Sequence, residues 1–285
     1  MQEPFDRRAV RRNRDRAAAT LPRHDFLLRE ASERLAERLA EGERRFGPAL
    51  VIGAAGGILR DAIAPFAEHI VESDHSHQML GRNGVVSSEE LLPFAPASFD
   101  LIASALVLHW VNDLPGALVQ IRRALKPGGL FLGTMMGGET LRELRAALLS
   151  GESEVAGGVS PRVSPFADVR DAGSLLQRVG FERPVADVDT VRVTYRDPLQ
   201  LMTELRGMGE TNALRERRRT FTARRTLLAA AASYRNQFAD TDGRVRATFQ
   251  LVTLTGWAAP PRTQREVPEG ERRPAARVPR RLQKG

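Results

Sequence analysis

The feature that most constrains this fold is an apolar run ending in small residues, Ala49–Gly57, with the sequence ALVIGAAGG. A helical pattern follows at 58–66. A buried strand, a tight turn and a helix N-terminus allow the backbone to approach a nucleotide-like ligand closely, because no side chain stands in the way. Similar turns also follow strands for packing reasons alone. A cofactor cradle at this turn is therefore a hypothesis that the rest of the chain must support.

The composition is that of a globular protein and excludes several chemistries. With 285 residues, 42% of them hydrophobic, the chain can form a substantial core as one large domain or two small ones. The absence of cysteine excludes disulfides, thiolate zinc sites and a cysteine nucleophile. The sequence shows neither a signal peptide nor an apolar run that could cross a bilayer, which predicts a cytoplasmic protein.

The net charge of +8 is concentrated at the two ends. Residues 1–16 carry six arginines against three acids, and residues 260–285 carry eight basic residues against three acids. The middle of the chain is therefore neutral, which argues against a dedicated nucleic-acid face on the fold. The simplest interpretation of both ends is solvated, partly disordered segments.

Short apolar runs alternate with helical patterns along most of the chain. This alternation predicts an α/β fold with a mainly parallel sheet covered on both faces. We expect a basic N-terminal lead at 1–23, one domain at 24–258 and an unfolded basic tail at 259–285. The predicted strands are 49–52, 69–73, 85–87, 98–104, 130–136, 187–195 and 248–257. The predicted helices are 24–38, 58–66, 113–125, 139–149, 168–180, 198–208 and 222–238, with a Gly/Ser/Pro-rich loop at 150–165.

An ordered set of motifs carries a family resemblance. The motifs are the turn after the first strand, Asp74 after the second, LPF at 92–94 before FDL at 99–101, HWVND at 109–113, LKPGG at 125–129, FDR at 5–7, LHWVNDLP at 108–115, GGETL at 137–141, SPF at 164–166 and GMGETN at 207–212. The chain resembles class I S-adenosylmethionine-dependent methyltransferases of the branch that includes malonyl-carrier-protein O-methyltransferase. It is more closely similar to the bacterial relatives of mitochondrial complex I assembly factor 5. The resemblance implies a Rossmann-like, doubly wound, seven-stranded sheet with added helices and S-adenosylmethionine as cofactor.

The resemblance also implies which residues hold that cofactor. Two ribose hydroxyls are donors that require a carboxylate at the end of the second strand, and Asp74 occupies that position, with Glu72 a weaker alternative. A solvated acid at a strand end is the competing interpretation of Asp74. The other expected cofactor residues are Gly53, Ala54, Ala55 and Gly57 of the turn, Ser88 after the third strand, and Ser104 and Leu106 after the fourth.

Three positions depart from the usual pattern of this family. Val51 stands where an acid is usual, Ala55 replaces the central glycine, and Ser88 stands where an acid commonly faces the adenine amine. Because a hydrogen bond to a charged group contributes roughly 1.5–3 kcal/mol, the absence of the acid at position 51 could weaken binding by about ten- to a hundredfold. The sequence thus predicts either weak cofactor binding or a fold that has lost its cofactor.

The acceptor side is less defined. His109 and Trp110 follow the fourth strand, where they either face the substrate or cap the next helix. The resemblance alone adds Tyr195, Glu210 and Asn212 to the acceptor pocket. No general base is recognisable, and methyl transfer to a good nucleophile requires none. His75 and His77 beside Asp74 are a poor metal cluster, because residues two apart in a turn seldom converge; no metal is expected.

The leading hypothesis is a methyltransferase that acts on a protein or carrier-bound substrate, with a subunit of respiratory complex I as one such partner. The alternative is a complex I assembly factor on the same fold that is non-catalytic or, as the resemblance implies, hydroxylates an arginine. The altered residues Val51, Ala55 and Ser88 motivate this alternative. A weaker third hypothesis is an RNA methyltransferase that uses its basic ends.

Overall fold

A seven-stranded sheet runs through the part of the chain that the computed structural model describes, residues 3–164 and 169–259. Its strands are β1 (Phe46–Ile52), β2 (Ala67–Asp74), β3 (Val85–Val86), β4 (Phe99–Ala105), β5 (Leu125–Met136), β6 (Phe181–Tyr195) and β7 (Val245–Ala258). The order is β3-β2-β1-β4-β5-β7-β6. All neighbours among the first five are parallel, and β7 is antiparallel to both β5 and β6. The predicted seven-stranded, mainly parallel sheet is confirmed.

Eight α-helices accompany the sheet in these ranges. They are α1 (Arg7–Ala17), α2 (Phe26–Glu41), α3 (Ile58–Ile63), α4 (Leu114–Ala124), α5 (Arg142–Ala156), α6 (Val169–Arg178), α7 (Pro198–Met208) and α8 (Arg224–Phe238). Among them, no helix has both the length and the apolar character needed to span a bilayer. The predicted tail from 260 onward, the start of the helix predicted from 168, and Pro165-Phe166 of the SPF motif lie outside the described residues.

The side chains of β1 alternate between two hydrophobic clusters. Ala49 and Val51 pack into the cluster on the α2 and α3 side, whereas Leu50 and Ile52 pack into the cluster on the α4 and α6 side. All four are at most 1% exposed. A strand buried on both faces is continuously apolar, as is usual in a parallel sheet covered by helices on both sides.

The order of the parallel strands fixes where a ligand can bind. β1 lies between β2 and β4. After β1 the chain therefore builds β2 and β3 on one side of β1, and then crosses to form β4 and β5 on the other side. Loops that follow adjacent strands diverge at such a switch point, and ligands of open α/β sheets bind in the crevice at the carboxyl ends of the strands there. The turn after β1 and the residues after β2 and β4 border this crevice.

The interpretation of the N-terminal residues as a solvated, partly disordered lead is wrong for the described part, from residue 3. The side chain of Asp6 caps α1 by accepting a hydrogen bond from the backbone N–H of Ala9 at 3.1 Å. A small apolar cluster then fixes the helix to the domain; it comprises Phe5, Ala9, Val10, Trp110, Ala213 and Leu214. The apolar residues recur at helical spacing, and the arginines between them hide the pattern in the sequence.

The predicted boundary between a helix and the loop at 150–165 is also wrong. α5 begins later than predicted, at Arg142 after the left-handed Leu141 (φ +56°), and continues to Ala156. Gly151, which falls within the predicted loop, lies inside the helix, where a Cβ would collide with the backbone of Ala230. Gly151 therefore allows α5 and α8 to pack closely.

Candidate cofactor and acceptor site

The turn after β1 is built mainly from left-handed residues, with the right-handed Ala54 among them. Gly53 has φ +89°, and its N–H donates to the Ser73 carbonyl at 2.7 Å; a Cβ there would lie 2.6 Å from Val107 Cγ1. Ala55 has φ +43°, followed by Gly56 and Gly57 at +74° and +88°. An L-residue other than glycine loses about 1–2 kcal/mol in this region. Ala55 is thus strained where the family usually has glycine.

Asp74 ends β2 and is completely enclosed by protein. Its carboxylate accepts from Arg14 of α1 twice, Nη2 to Oδ2 at 2.5 Å and Nε to Oδ1 at 3.2 Å, and from the backbone N–H of Ser76 at 2.8 Å. Burial alone would lower the pKa of Arg14, but the charge and hydrogen bonds of Asp74 raise it above its usual value. Glu72, the weaker ribose candidate, pairs with Arg60 at 3.1 Å.

α1 also reaches the loop after β3. Arg7 forms a salt bridge with the buried Glu89 and lies 3.5 Å from Ser88 Oγ. Ser88 Oγ in turn accepts from the backbone N–H of Glu90 at 3.1 Å. An acid is therefore present one residue after Ser88, but an arginine of the N-terminal helix neutralises it.

The two residues predicted after β4 occupy different environments. Ser104 is buried, and its Oγ donates to the Ile52 carbonyl at 3.1 Å, which ties β4 to β1. Leu106 is left-handed at φ +53°, and its backbone N–H donates to the Thr134 carbonyl at 2.8 Å. The leucine side chain borders a cavity, whereas the serine hydroxyl is used within the sheet.

A small cavity lies between the turn and the N-terminal helices. Its volume is ≈ 30 Å³, and its lining residues are Arg14, Leu21, His24, Leu27, Leu28, Ala55, Met79, Ala105, Leu106, Met136, Met208 and Glu210. Ligand sites usually enclose about 300–1,000 Å³. Of the predicted cofactor residues, Ala55 and Leu106 line this cavity, whereas Asp74 is enclosed behind Arg14. The turn and the apolar walls fit a nucleoside cofactor, but this volume requires Arg14 or its helix to shift before one enters.

His109 and Trp110 both bind the same carboxylate. They lie in a short 3-10 helix after β4, Leu108–Trp110, and approach Glu210 Oε2 with His109 Nε2 at 3.1 Å and Trp110 Nε1 at 3.0 Å. All three side chains are buried or nearly so. Glu210 is the second residue after α7, and its backbone N–H donates to the Leu205 carbonyl at 2.8 Å, so the end of that helix places it beside the end of β4.

A second, larger cavity of ≈ 300 Å³ lies on the other side of this group. Its lining residues are Trp110, Met136, Leu141, Leu144, Leu148, Arg162, Val163, Ser164, Met202, Leu205, Arg206, Glu210, Thr211, Asn212, Thr222 and Leu227. Asn212 reaches it while its Nδ2 donates to the Pro161 carbonyl at 2.8 Å. Two residues, Met136 and Glu210, line both cavities.

Tyr195 is not among the residues that line either cavity. It ends β6 in the hydrophobic core, where burial raises the pKa of its hydroxyl, and within the described residues that hydroxyl has no hydrogen-bond partner. His75 and His77 lie in the turn after Asp74, and the described residues contain no cluster of three acid or histidine side chains that could hold a metal.

Sequence reasoning missed the arginines of α1. Arg14 and Arg7 are two of the six arginines in residues 1–16, and nothing in the local pattern distinguishes them from exposed neighbours such as Arg11. The one available signal is the position of each arginine relative to the apolar residues of the helix. Arg14 lies four residues after Val10, on the side of α1 that faces the domain.

Comparisons with solved structures define the class. The fold matches a putative methyltransferase from Bacillus halodurans with a TM-score of 0.53 at 16% identity, covering 79% of this chain and 98% of that one. It matches the YcgJ protein from Bacillus subtilis with a TM-score of 0.54 at 17% identity, covering 79% and 97%. A family model described as a methyltransferase domain matches residues 50–133. The fold is that of the class I S-adenosylmethionine-dependent methyltransferases.

Two groups of curated relatives define the family. The mitochondrial arginine-hydroxylase NDUFAF5 of Danio rerio is 40% identical over 264 residues, covering 89% of this chain and 82% of that protein, and the Homo sapiens protein is 41% identical over 265 residues, covering 89% and 76%. The malonyl-[acyl-carrier protein] O-methyltransferase of Methylovorus sp. strain MP688 is 33% identical over 287 residues, covering 93% of both chains. The chain belongs to the methyltransferase family that contains these proteins.

Proposed function

We propose that the protein binds S-adenosylmethionine at the crevice beside β1 and modifies a protein or carrier-bound acceptor in the larger cavity. The bound cofactor supplies an activated methyl group. Asp74 would accept hydrogen bonds from the ribose of the cofactor, and Ser88 would face its adenine. The methionine portion would lie against the backbone of the turn and the residues after β4, namely Gly53, Ala54, Ala55, Gly57, Ser104 and Leu106. Met136 and Glu210 separate this crevice from the acceptor cavity.

One observation supports this function above the others. A carboxylate ends β2 beside a side-chain-poor, left-handed turn that ends β1, at the switch point of a parallel sheet. This is where α/β sheets bind nucleotide-like ligands, and a carboxylate there is suited to hydroxyl donors. No group in the site has to act as a base, because orienting donor and acceptor accounts for most of the acceleration.

The acceptor and the place of action are also proposals. The names of the relatives favour either a protein side chain or a carrier-bound acid. From the family resemblance of the sequence we propose a subunit of respiratory complex I as the partner, and action in the cytoplasm.

A second candidate is arginine hydroxylation, or assembly without catalysis, on the same fold. The observation that favours it is the enclosure of Asp74 by Arg14, which adds to the altered residues Val51, Ala55 and Ser88. If that enclosure persists, the ribose site stays closed.

Calorimetric titration with S-adenosylmethionine tests the proposal. We expect saturable binding that Asp74→Asn weakens about ten- to a hundredfold, because hydroxyl donors lose a charged acceptor. The matched control is Glu72→Gln, a buried acid two residues earlier on the same strand, which should bind within about threefold of the native chain. No binding at millimolar ligand would exclude methyl transfer and leave the second candidate.

Mass spectrometry of an acceptor protein then separates the remaining chemistries. A methyltransferase adds one methyl group per event only when S-adenosylmethionine is supplied, whereas a hydroxylase adds one oxygen atom. Transfer of the deuterated methyl group from labelled cofactor would establish the first. Unchanged acceptor mass with stable complex formation would establish assembly without catalysis.

A further inference from the structure

The neutral middle of the chain contains one strongly basic segment, residues 215–225, which leads into α8. This basic segment holds six arginines and one acid, Glu216, so its net charge is +5. Phe221 lies among the arginines and is fully exposed. A guanidinium does not lose its proton in proteins, so this charge is independent of pH. The segment therefore offers a fixed positive charge and one apolar ring to a partner.

Half of the arginines in the basic segment have an acidic partner. The pairs are Arg215 with Glu3, Arg217 with Asp6 and Arg218 with Glu152. The other three are exposed and form no ion pair within residues 3–164 and 169–259; they are Arg219, Arg224 and Arg225. Glu154 of α5 and Arg206 of α7 are exposed charges of opposite sign on helices packed against α8, so together they leave this balance unchanged. Three guanidiniums are thus available against Glu216 alone.

The basic segment borders the larger cavity. Thr222 lines that cavity, and its Oγ1 accepts a hydrogen bond from Arg162 Nη1 at 2.9 Å. Leu227, in the first turn of α8, lines the same cavity. Phe221 directly precedes Thr222 but is not among the lining residues, so its ring lies at the rim. When the reacting group of an acceptor enters the cavity, the neighbouring parts of that acceptor therefore contact this segment.

The chemistry of the basic segment suits an acidic stretch of a protein. A guanidinium binds a carboxylate with two parallel hydrogen bonds, and arginine and aromatic side chains are enriched in protein–protein interfaces. Single-stranded nucleic acids stack successive bases on several aromatic rings, whereas Phe221 is the one aromatic residue of the segment. An interfacial membrane helix presents a long apolar face, whereas α8 adds a single large exposed apolar side chain, that of Leu228.

The basic tail of the chain does not suit this surface. Residues 260–285 carry eight basic residues against three acids, so the basic segment repels them. The complementary partner is therefore a separate molecule with the opposite charge.

We propose that residues 215–225 are the docking surface for the acceptor protein and bind an acidic stretch that also contains an apolar residue. Arg219, Arg224 and Arg225 bind its carboxylates, and the ring of Phe221 covers the apolar residue. The inference rests on the proposed function in that the larger cavity is taken as the acceptor site. It adds the charge of the partner surface and is independent of the atom that is modified.

Fluorescence anisotropy of the full chain with a labelled peptide tests this surface. The probe is a peptide of repeated Glu-Glu-Leu, and its uncharged counterpart is a peptide of repeated Gln-Gln-Leu. We expect saturable binding of the acidic peptide that weakens as the salt concentration rises, and at least about tenfold weaker binding of the counterpart. Equal binding of the two peptides overturns the proposal. Tighter binding of an oligothymidylate, or of phosphatidylglycerol vesicles, also overturns it.

The triple variant Arg219→Gln/Arg224→Gln/Arg225→Gln should bind the acidic peptide at least about tenfold more weakly, because the three available charges are removed. Phe221→Ala should weaken binding about three- to tenfold, since less apolar surface is covered. All four side chains are exposed, so both variants should keep the circular dichroism spectrum of the native chain. Native affinity in the triple variant would place the peptide elsewhere and overturn the proposal.

The matched control is the triple variant Arg45→Gln/Arg123→Gln/Arg178→Gln. It removes the same charge from exposed arginines that precede β1, β5 and β6, and it should bind the acidic peptide within about threefold of the native chain. Equal weakening in both triple variants would show attraction by the net charge alone and overturn the proposal.

Titration of the same native sample with S-adenosylmethionine separates the two possible failures. Cofactor binding without a preference for the acidic peptide overturns the docking surface and leaves the proposed function. A preference for the acidic peptide without cofactor binding leaves the docking surface and overturns methyl transfer.

Discussion

Arg14 and Asp74, which are 60 residues apart, form a bidentate ion pair in which each side chain is at most 6% exposed. The pair connects α1 to the carboxyl end of β2 across the proposed ribose position. A buried ion pair is weak evidence for stability, because desolvation opposes the attraction between the charges. Removing only one of the two charged side chains is nevertheless costly, since the other charge then remains buried without a partner.

Arg14→Ala should therefore lower the free energy of unfolding by about 3–5 kcal/mol, because Asp74 is left without its cation. Urea unfolding followed by circular dichroism measures the loss. Arg11→Ala on the same helix removes an exposed pair with Asp15 at 3.8 Å and should change stability by less than about 0.5 kcal/mol. A similar loss in both variants would mean that the buried pair of Arg14 with Asp74 contributes no more than an exposed pair.

The double variant Arg14→Met/Asp74→Asn separates charge from packing. Methionine retains the apolar volume of the arginine stem, and asparagine retains an oxygen for the N–H of Ser76. At least half of the loss seen in Arg14→Ala should be recovered, because no charge remains buried. If the double variant is less stable than the single one, the pair itself is strongly favourable.

The sheet was predictable because its strands obey a local rule. A parallel strand covered on both faces is apolar along its length, and the segments 49–52 and 98–104 have that pattern. The position of Asp74 followed from the same reasoning. Its partner did not, since pairing with Arg14 depends on where α1 docks, and that docking depends on contacts of Phe5 and Val10 with Trp110 and Leu214.

Tertiary contact also explains the errors around α5 and the acceptor cavity. Gly151 has a low helix propensity, and only its close approach to Ala230 accounts for its position in a helix. Glu210 lies 101 residues from His109, and no spacing rule connects them. Local patterns thus predicted the elements, while the contacts between distant elements that complete the site were not encoded in any one motif.

Gly151→Ala should destabilise the protein by about 1–3 kcal/mol despite the better helix propensity of alanine. The added methyl group overlaps the backbone of α8 at Ala230, which cannot move without repacking. Thermal unfolding of Gly158→Ala gives the control, because a Cβ at Gly158 meets no atom within 4 Å. Equal melting temperatures for the two variants would contradict the close approach of α5 and α8.

Ala55→Gly should stabilise the fold by up to about 1.6 kcal/mol. Ala55 has a left-handed backbone, and removing its conformational strain contributes about 1–2 kcal/mol. The greater freedom of glycine in the unfolded chain offsets about 0.4–1 kcal/mol of this gain. We also expect tighter binding of S-adenosylhomocysteine in calorimetric titration, because a methyl group leaves the proposed cradle.

The neighbouring Ala54 supplies the matched control for that variant. It has φ −59° and ψ −43°, which alanine adopts without strain. Ala54→Gly should therefore cost about 0.5–1 kcal/mol, the opposite sign. Destabilisation by both substitutions would indicate that the methyl group of Ala55 packs well enough to outweigh its backbone strain.

The ion pair between Glu152 and Arg162 predicts a pH dependence. Hydrogen bonds from Arg162 and Ser160 hold the pKa of Glu152 at about 2, below its ordinary 4.5. A lowered folded-state pKa stabilises the protein above the unfolded-state value, and this stabilisation is lost as the pH falls from about 4.5 towards 2. The shift corresponds to about 3 kcal/mol.

Comparison of the native chain with Glu152→Gln across pH isolates this contribution from that of other acids. Their difference in free energy of unfolding should be near 3 kcal/mol at pH 6 and should shrink steadily below about pH 4.5, because only the native chain takes up a proton at position 152 on unfolding. Glu154→Gln, an exposed acid of the same helix, should show a difference from the native chain that stays near zero throughout. A difference for Glu152→Gln that does not vary with pH would mean that Arg162 is not neutralised by Glu152, and Arg162 would then place an uncompensated positive charge in the acceptor cavity.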